Sequence, residues 1–141
     1  SNSVASYSGT VAVGTNTVPT GYKMAVDGKL ITEEVKVQLS GSWPDYVFKK
    51  GYSLPTLVEV EKHINEKGHL INIPSAEEVE ANGIELGEMN KLLLRKIEEL
   101  TLYLIQLKKE NVLLKEDTTM QIKELRGEIE ELQNQQKTNK P

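Results

Sequence analysis

From Leu93 to Leu132 one series of residues recurs at alternating intervals of four and three: Leu93, Ile97, Leu100, Leu104, Leu107, Asn111, Leu114, Thr118, Ile122, Leu125, Ile129 and Leu132. No other feature of the sequence restricts the fold as strongly. The spacing puts all of these side chains on one stripe of an α-helix, in the heptad pattern of a left-handed coiled coil. Ile97, Leu104 and Asn111 take a positions and the leucines between them take d. Between Leu107 and Leu125 the intervals run 4-3-4-4-3, a stutter that locally unwinds the supercoil without ending it. In the second register Gly127 falls at the outer f position, where it lowers helix propensity but leaves no hole in the seam. From Glu88 to Gln135 there is no Pro and Gly127 is the only Gly. A helix of that length extends ~70 Å at ~1.5 Å per residue, too far for the residues before it to cover. Its stripe therefore needs identical or foreign helices beside it.

Orientation and stoichiometry follow less directly. Asn111 reads as a register device, because stacking identical amides in one layer penalises slipped or antiparallel alignments; the alternative is a tolerated polar layer or an ion site on the axis. Glu110 at g and Lys115 at the following e can pair between parallel chains, which helps to set orientation more than stability. Ile at a, Leu at d and Asn at a are dimer-leaning choices, which a broad head with strands could override.

The residues before the helix form that head. Val11-Ala12-Val13 between Gly9 and Gly14 reads as a short strand. Asp27-Gly28 sits between two extended stretches, Tyr22 to Val26 and Lys29 to Ile31, and predicts a two-residue hairpin turn. Residues 33 to 39 alternate and predict a further strand. Ser40-Gly41-Ser42-Trp43-Pro44-Asp45 breaks that pattern, and Trp43, Tyr46 and Phe48 then read as anchors of a small core, or else as an aromatic ligand patch. Thr56 followed three residues later by Glu59 has capping-box spacing, with Leu57, Val60 and Ile64 on one face and Gly68 as a stop. Ser75 and Glu78 repeat the device, with Val79 facing inward and Asn82-Gly83 ending the helix.

The fold class predicted is thus mixed: a small β-rich N-terminal part and short helices, followed by a long parallel coiled coil. The expected divisions are a β-rich stalk end and hairpin region at 3–55, a short-helix head at 56–87, the coiled coil at 88–135 and a disordered tail at 136–141. Head packing is expected from Trp43, Tyr46, Phe48, Leu57, Val60, Ile64 and Val79, and the oligomer seam from the twelve residues of the heptad series.

Several function classes are disfavoured. The chain has no Cys, which removes disulfides, thiolate catalysis and Cys-based zinc sites. A net charge of −4 argues against nucleic acid or an anionic membrane as the main partner. No run of residues is apolar enough to insert in a bilayer, and no basic-then-apolar leader opens the chain. Ser1-Asn2 reads as a pair left by tag removal, which leaves room for a leader upstream. His63 and His69 lie six apart, unsuited to a shared helix face, and read as surface or cap residues. Glu77-Glu78 and Glu98-Glu99 are expected on solvated outer faces, which disfavours paired-carboxylate catalysis. The glycines at 9, 14 and 21 lack the strand, loop and helix context of a phosphate cradle. No catalytic residue, cofactor or metal is expected.

A resemblance sharpens this picture. The ordered motifs Gly21-Tyr22-Lys23-Met24-Ala25-Val26-Asp27-Gly28-Lys29, Trp43-Pro44-Asp45-Tyr46-Val47-Phe48, Leu54-Pro55-Thr56-Leu57-Val58-Glu59-Val60-Glu61, Gly68-His69-Leu70 through Ile73-Pro74-Ser75-Ala76-Glu77-Glu78-Val79, and Gly83-Ile84-Glu85-Leu86-Gly87-Glu88-Met89-Asn90 resemble the C-terminal region of Bacteroidetes surface and tail-fibre-domain proteins. That group resembles in turn the C-terminal intramolecular chaperone domain of phage tail spikes and fibres. The resemblance implies a homotrimerisation and folding module at the end of a fibrous protein, outside the cell, at the cell surface or on a virion. Its partners would be two further copies of itself, a trimer being preferred to a dimer, and an upstream β-stalk ending near Val11 to Thr15. Some domains of this kind cleave themselves at a Ser-Asp pair. No Ser-Asp dipeptide occurs here, and Ser42-Trp43-Pro44-Asp45 occupies the nearest comparable place, so no self-cleavage is expected. The alternatives are a receptor- or glycan-binding tip and a self-cleaving chaperone.

Overall fold

The computed structural model describes residues 8–38 and 43–138. They divide into two units, with the boundary between Val37 and Gln38. Ser40-Gly41-Ser42, where the β pattern was expected to break, and residues 139–141 of the expected tail lie outside the described residues.

In the first unit β1 (Val11–Val13) pairs with β2 (Met24–Val26) in parallel, in the register Val11 to Met24 and Val13 to Val26. Backbone hydrogen bonds extend the ladder at both ends, from Val11 N to Lys23 O and from Asp27 N to Val13 O, each 2.9 Å. The strand at Val11 to Val13 is where the sequence put it. The Asp27-Gly28 hairpin is not formed: a two-residue turn of that type needs positive φ at both central residues, and Asp27 has none. The chain instead loops back through residues 14–23 and lays β2 beside β1 in the same direction. Gly14 permits this close approach, because a Cβ there would sit 2.8 Å from Asp27 O and φ is +73°. The strand expected at 33–39 is also absent over its described part, 33–38. Alternation alone does not make a strand; the backbone groups need a partner edge, and Val35 and Val37 remain exposed.

The second unit is helical. A 3-10 helix, Pro44–Phe48, follows extended Trp43, with Pro44 supplying the pre-set φ of a first helical position. It packs on the long helix described below, burying Pro44 and Val47. Helix α1 (Leu57–Lys67) and helix α2 (Ala76–Asn82) both begin with complete capping boxes. Glu59 N donates to Thr56 Oγ1 at 3.2 Å, and Thr56 N donates to Glu59 Oε2 at 2.7 Å. Ser75 and Glu78 reproduce the pattern at 3.2 and 2.8 Å. Gly68 ends α1 in the left-handed conformation, its N–H donating to Ile64 O. These starts and stops are those the sequence predicts.

Helix α3 (Leu86–Thr138) is 53 residues long, roughly 80 Å at 1.5 Å per residue, and it continues past Gln135 to Thr138. Within this unit, segment 43–55 lies against the proximal part of α3, where Leu92, Arg95, Lys96, Glu99 and Tyr103 are all buried or half-buried. From Leu104 to Gln135 every residue is exposed.

Candidate functional site

Two faces of α3 differ in chemistry. On the first, segment 43–55 is fastened to the helix by polar and aromatic contacts. Tyr52 Oη donates to Glu99 Oε1 at 2.5 Å, and Lys96 Nζ donates to Glu99 Oε2 at 2.7 Å. Tyr103 Oη donates to the carbonyl oxygen of Pro55. The Arg95 guanidinium lies 5.7 Å from the Tyr46 ring centroid, and Tyr46 lies 5.9 Å from Tyr52, ring to ring. Burial and the hydrogen bond to Glu99 push the Tyr52 hydroxyl well above its ordinary value. Tyr103 is raised for the same leading reason, burial, with Glu99 adding to it.

Glu98 and Glu99 are therefore not on a solvated face, as the sequence suggested, but are 7% and 5% exposed. The 3-10 helix and its continuation cover what is otherwise the outer side of the helix. Glu99 is compensated by Tyr52 and Lys96. Glu98 Oε2 is buried without a protein hydrogen-bond partner, and burial, with Asp45 adding its charge, raises its carboxyl above the usual range. Glu77 and Glu78 are exposed, as expected. His63 and His69, unrelated on a helical wheel, meet edge to face at 5.2 Å because the chain reverses at Gly68. Among the described residues no group of three or more His, Cys, Asp or Glu is placed to hold a metal.

The second face carries the heptad series. Its ten Leu and Ile residues are 46–65% exposed. The two polar members fold back on their own helix: Asn111 Nδ2 donates to Leu107 O at 2.9 Å and Thr118 Oγ1 to Leu114 O at 2.7 Å. Of the expected head-packing residues, Tyr46, Val60 and Val79 are half-buried, whereas Trp43, Phe48, Leu57 and Ile64 are exposed in the single chain. Sequence reasoning did not count Pro44, Val47 and Tyr52, which pack on α3, or Tyr103 of α3, which donates to Pro55, among the head-packing residues. Their signal was faint: Tyr52 and Glu99 stand 47 positions apart.

Where Leu54 to Leu57 pass α3, an apolar groove of about 380 Å³ opens between that segment and Leu100, Leu104 and Leu107. No helix among the described residues is long and apolar enough to cross a membrane. No family model matches the chain, and neither a curated protein nor a solved structure matches it.

Proposed function

We propose that the chain is a homotrimerisation module whose α3 helices associate in parallel through the heptad series, bringing the ends of a fibrous protein into register so that upstream β-structure can fold. The observation that carries this reading is the continuous exposed stripe from Leu93 to Leu132, on a helix whose other flank is already occupied by its own chain over the first turns. Burying a Leu or Ile side chain contributes about 1.5–3 kcal/mol. Ten such residues per chain therefore outweigh an association cost on the order of 4–15 kcal/mol.

The module works by proximity and not by catalysis. Holding chain ends together raises their effective concentration, so slow non-local strand pairing becomes intramolecular. Helices form from local contacts and can do so early. The place of action is extracellular, at a cell surface or on a virion, in keeping with the resemblance to tail-fibre-domain proteins. The test is light scattering and circular dichroism on the full chain and on Leu104→Asp/Leu107→Asp. The reading expects the variant to fall to monomer and lose helix signal from the distal part of α3; an unchanged mass would refute it.

A second reading, a receptor- or glycan-binding tip, draws on Trp43, just before the 3-10 helix, and Phe48, its last residue, which are both more than half exposed. Glycan-array binding that is lost in Trp43→Ala without a change of mass would favour it.

A further inference from the structure

Two apolar features lie on the flanks of the seam beside the head. One is the groove between Leu54 to Leu57 and α3, in which Leu57 is 62% exposed. It lies on the flank marked by Tyr103 and Glu110, which are both g positions. The other is a pair of apolar b-position residues, Ile105 and Val112, 47% and 40% exposed on the opposite flank. Outer b positions of a coiled coil are ordinarily polar, because nothing in the seam covers them.

We propose that these features are two halves of one contact, the groove of each protomer receiving the Ile105 flank of the neighbouring copy's α3. The inference rests on the parallel coiled-coil reading and extends it from the seam to the head. In a parallel assembly the g flank of one helix faces the e flank of the next, with b just outside e. Leu104 and Leu107, members of the seam, also form a wall of the groove, so a helix laid on the seam runs along its open side. At the level of Tyr103 to Glu110 the neighbour presents Lys108 at e and Ile105 at b. Ile105 then enters between Leu57 and the seam leucines.

Charge agrees with this occupant. Glu110 lines the end of the groove, held by Gln106 Nε2 at 2.9 Å, and the neighbour's e positions around it are Lys108 and Lys115. The head thus does more than decorate the first turns of α3. By placing Leu54 and Leu57 beside the seam, it gives each protomer a slot into which an in-register neighbour sets Ile105; a slip of one heptad, about 10 Å along the axis, would set Val112 or Glu98 there instead.

The absence of Cys from the chain permits a direct test. Full-length Leu57→Cys and Ile105→Cys chains, one with a size tag, are unfolded, mixed, refolded together and treated with a short bis-maleimide. A Leu125→Cys chain treated alone reports the distal seam, away from the groove. Neither position is buried in the single chain, Leu57 being 62% and Ile105 47% exposed, so the protomer fold is retained. The expected result is a 57-to-105 product of mixed size together with a 125-to-125 product. A 125-to-125 product without the mixed one overturns this inference and leaves the coiled-coil reading standing. Loss of the 125-to-125 product overturns the reading, and the inference with it.

Discussion

The two halves of α3 are covalently one helix, but they are held in different ways. Between Leu92 and Tyr103 the helix is clamped on one flank by its own chain, through Val47 and the hydrogen bonds of Tyr52 to Glu99 and of Tyr103 to Pro55. From Leu104 to Gln135 every residue is exposed, and Leu104, Leu107, Leu114, Ile122, Leu125, Ile129 and Leu132 are turned to solvent. Most helix stability comes from packing an apolar face and not from propensity. On the proposed reading, the proximal half depends on residues of the same chain and the distal half on residues of a second copy.

The largest expected effect tests the distal half. Ile122→Asp/Leu125→Asp should abolish assembly and melt the helix beyond Leu107, seen as loss of slow-exchanging amides there, while protection around Leu92 to Tyr103 persists. If the distal amides stay protected, the helix is stable without partners and the contrast fails.

Next come changes in the clamp. Val47→Ala removes the most buried apolar side chain and should cost ~2 kcal/mol of head stability. Tyr52→Phe removes a hydrogen bond to a carboxylate and should cost about 1.5–3 kcal/mol. Both are read from denaturation monitored at Trp43, and neither should change solution mass if assembly resides in the seam.

Glu98 sharpens the comparison through pH. Its carboxyl is raised in the folded chain by burial and by Asp45, so the folded state holds the proton to higher pH than the unfolded state does. Its contribution is therefore fully present at low pH and lost as pH rises from the ordinary carboxylate range through the raised folded value. Glu98→Gln should remove that decline and make the head more stable at neutral pH; a variant less stable at neutral pH would show that the ionised form is wanted there.

The smallest effects lie at the caps. Thr56→Ala and Ser75→Ala should each cost about 1 kcal/mol. Glu59 and Glu78 are held below the usual carboxylate range, first by the backbone N–H groups of Thr56 and Ser75 and then by their hydroxyls. Their contribution is present at neutral pH and is lost as pH falls through their lowered values, opposite in sign to Glu98. Acid titration of the two cap variants should show that loss blunted.

What the sequence made legible follows the range of the interactions. The α1 and α2 boundaries are written within three or four residues, as Thr56 with Glu59 and Ser75 with Glu78, and they occur where expected. The length of α3 follows from the lack of breakers and from the heptad series. The parallel pairing of β1 with β2 has no such local mark, and Asp27-Gly28 suggested a hairpin because the same dipeptide suits a turn that the fold does not use. The burial of Glu98 and Glu99 was hidden for a related reason: on a helical wheel they belong to the outer face, and only the distant segment Pro44 to Pro55 covers them.

The central claim is that the exposed stripe of α3 is an interface between three copies of this chain. The most direct measurement is the solution mass of the full chain by multi-angle light scattering over a range of concentrations. The account predicts three times the 15.8 kDa chain mass. A dimer would show that the seam's own preference at Asn111 prevails over the head, and a monomer at every concentration would contradict the account.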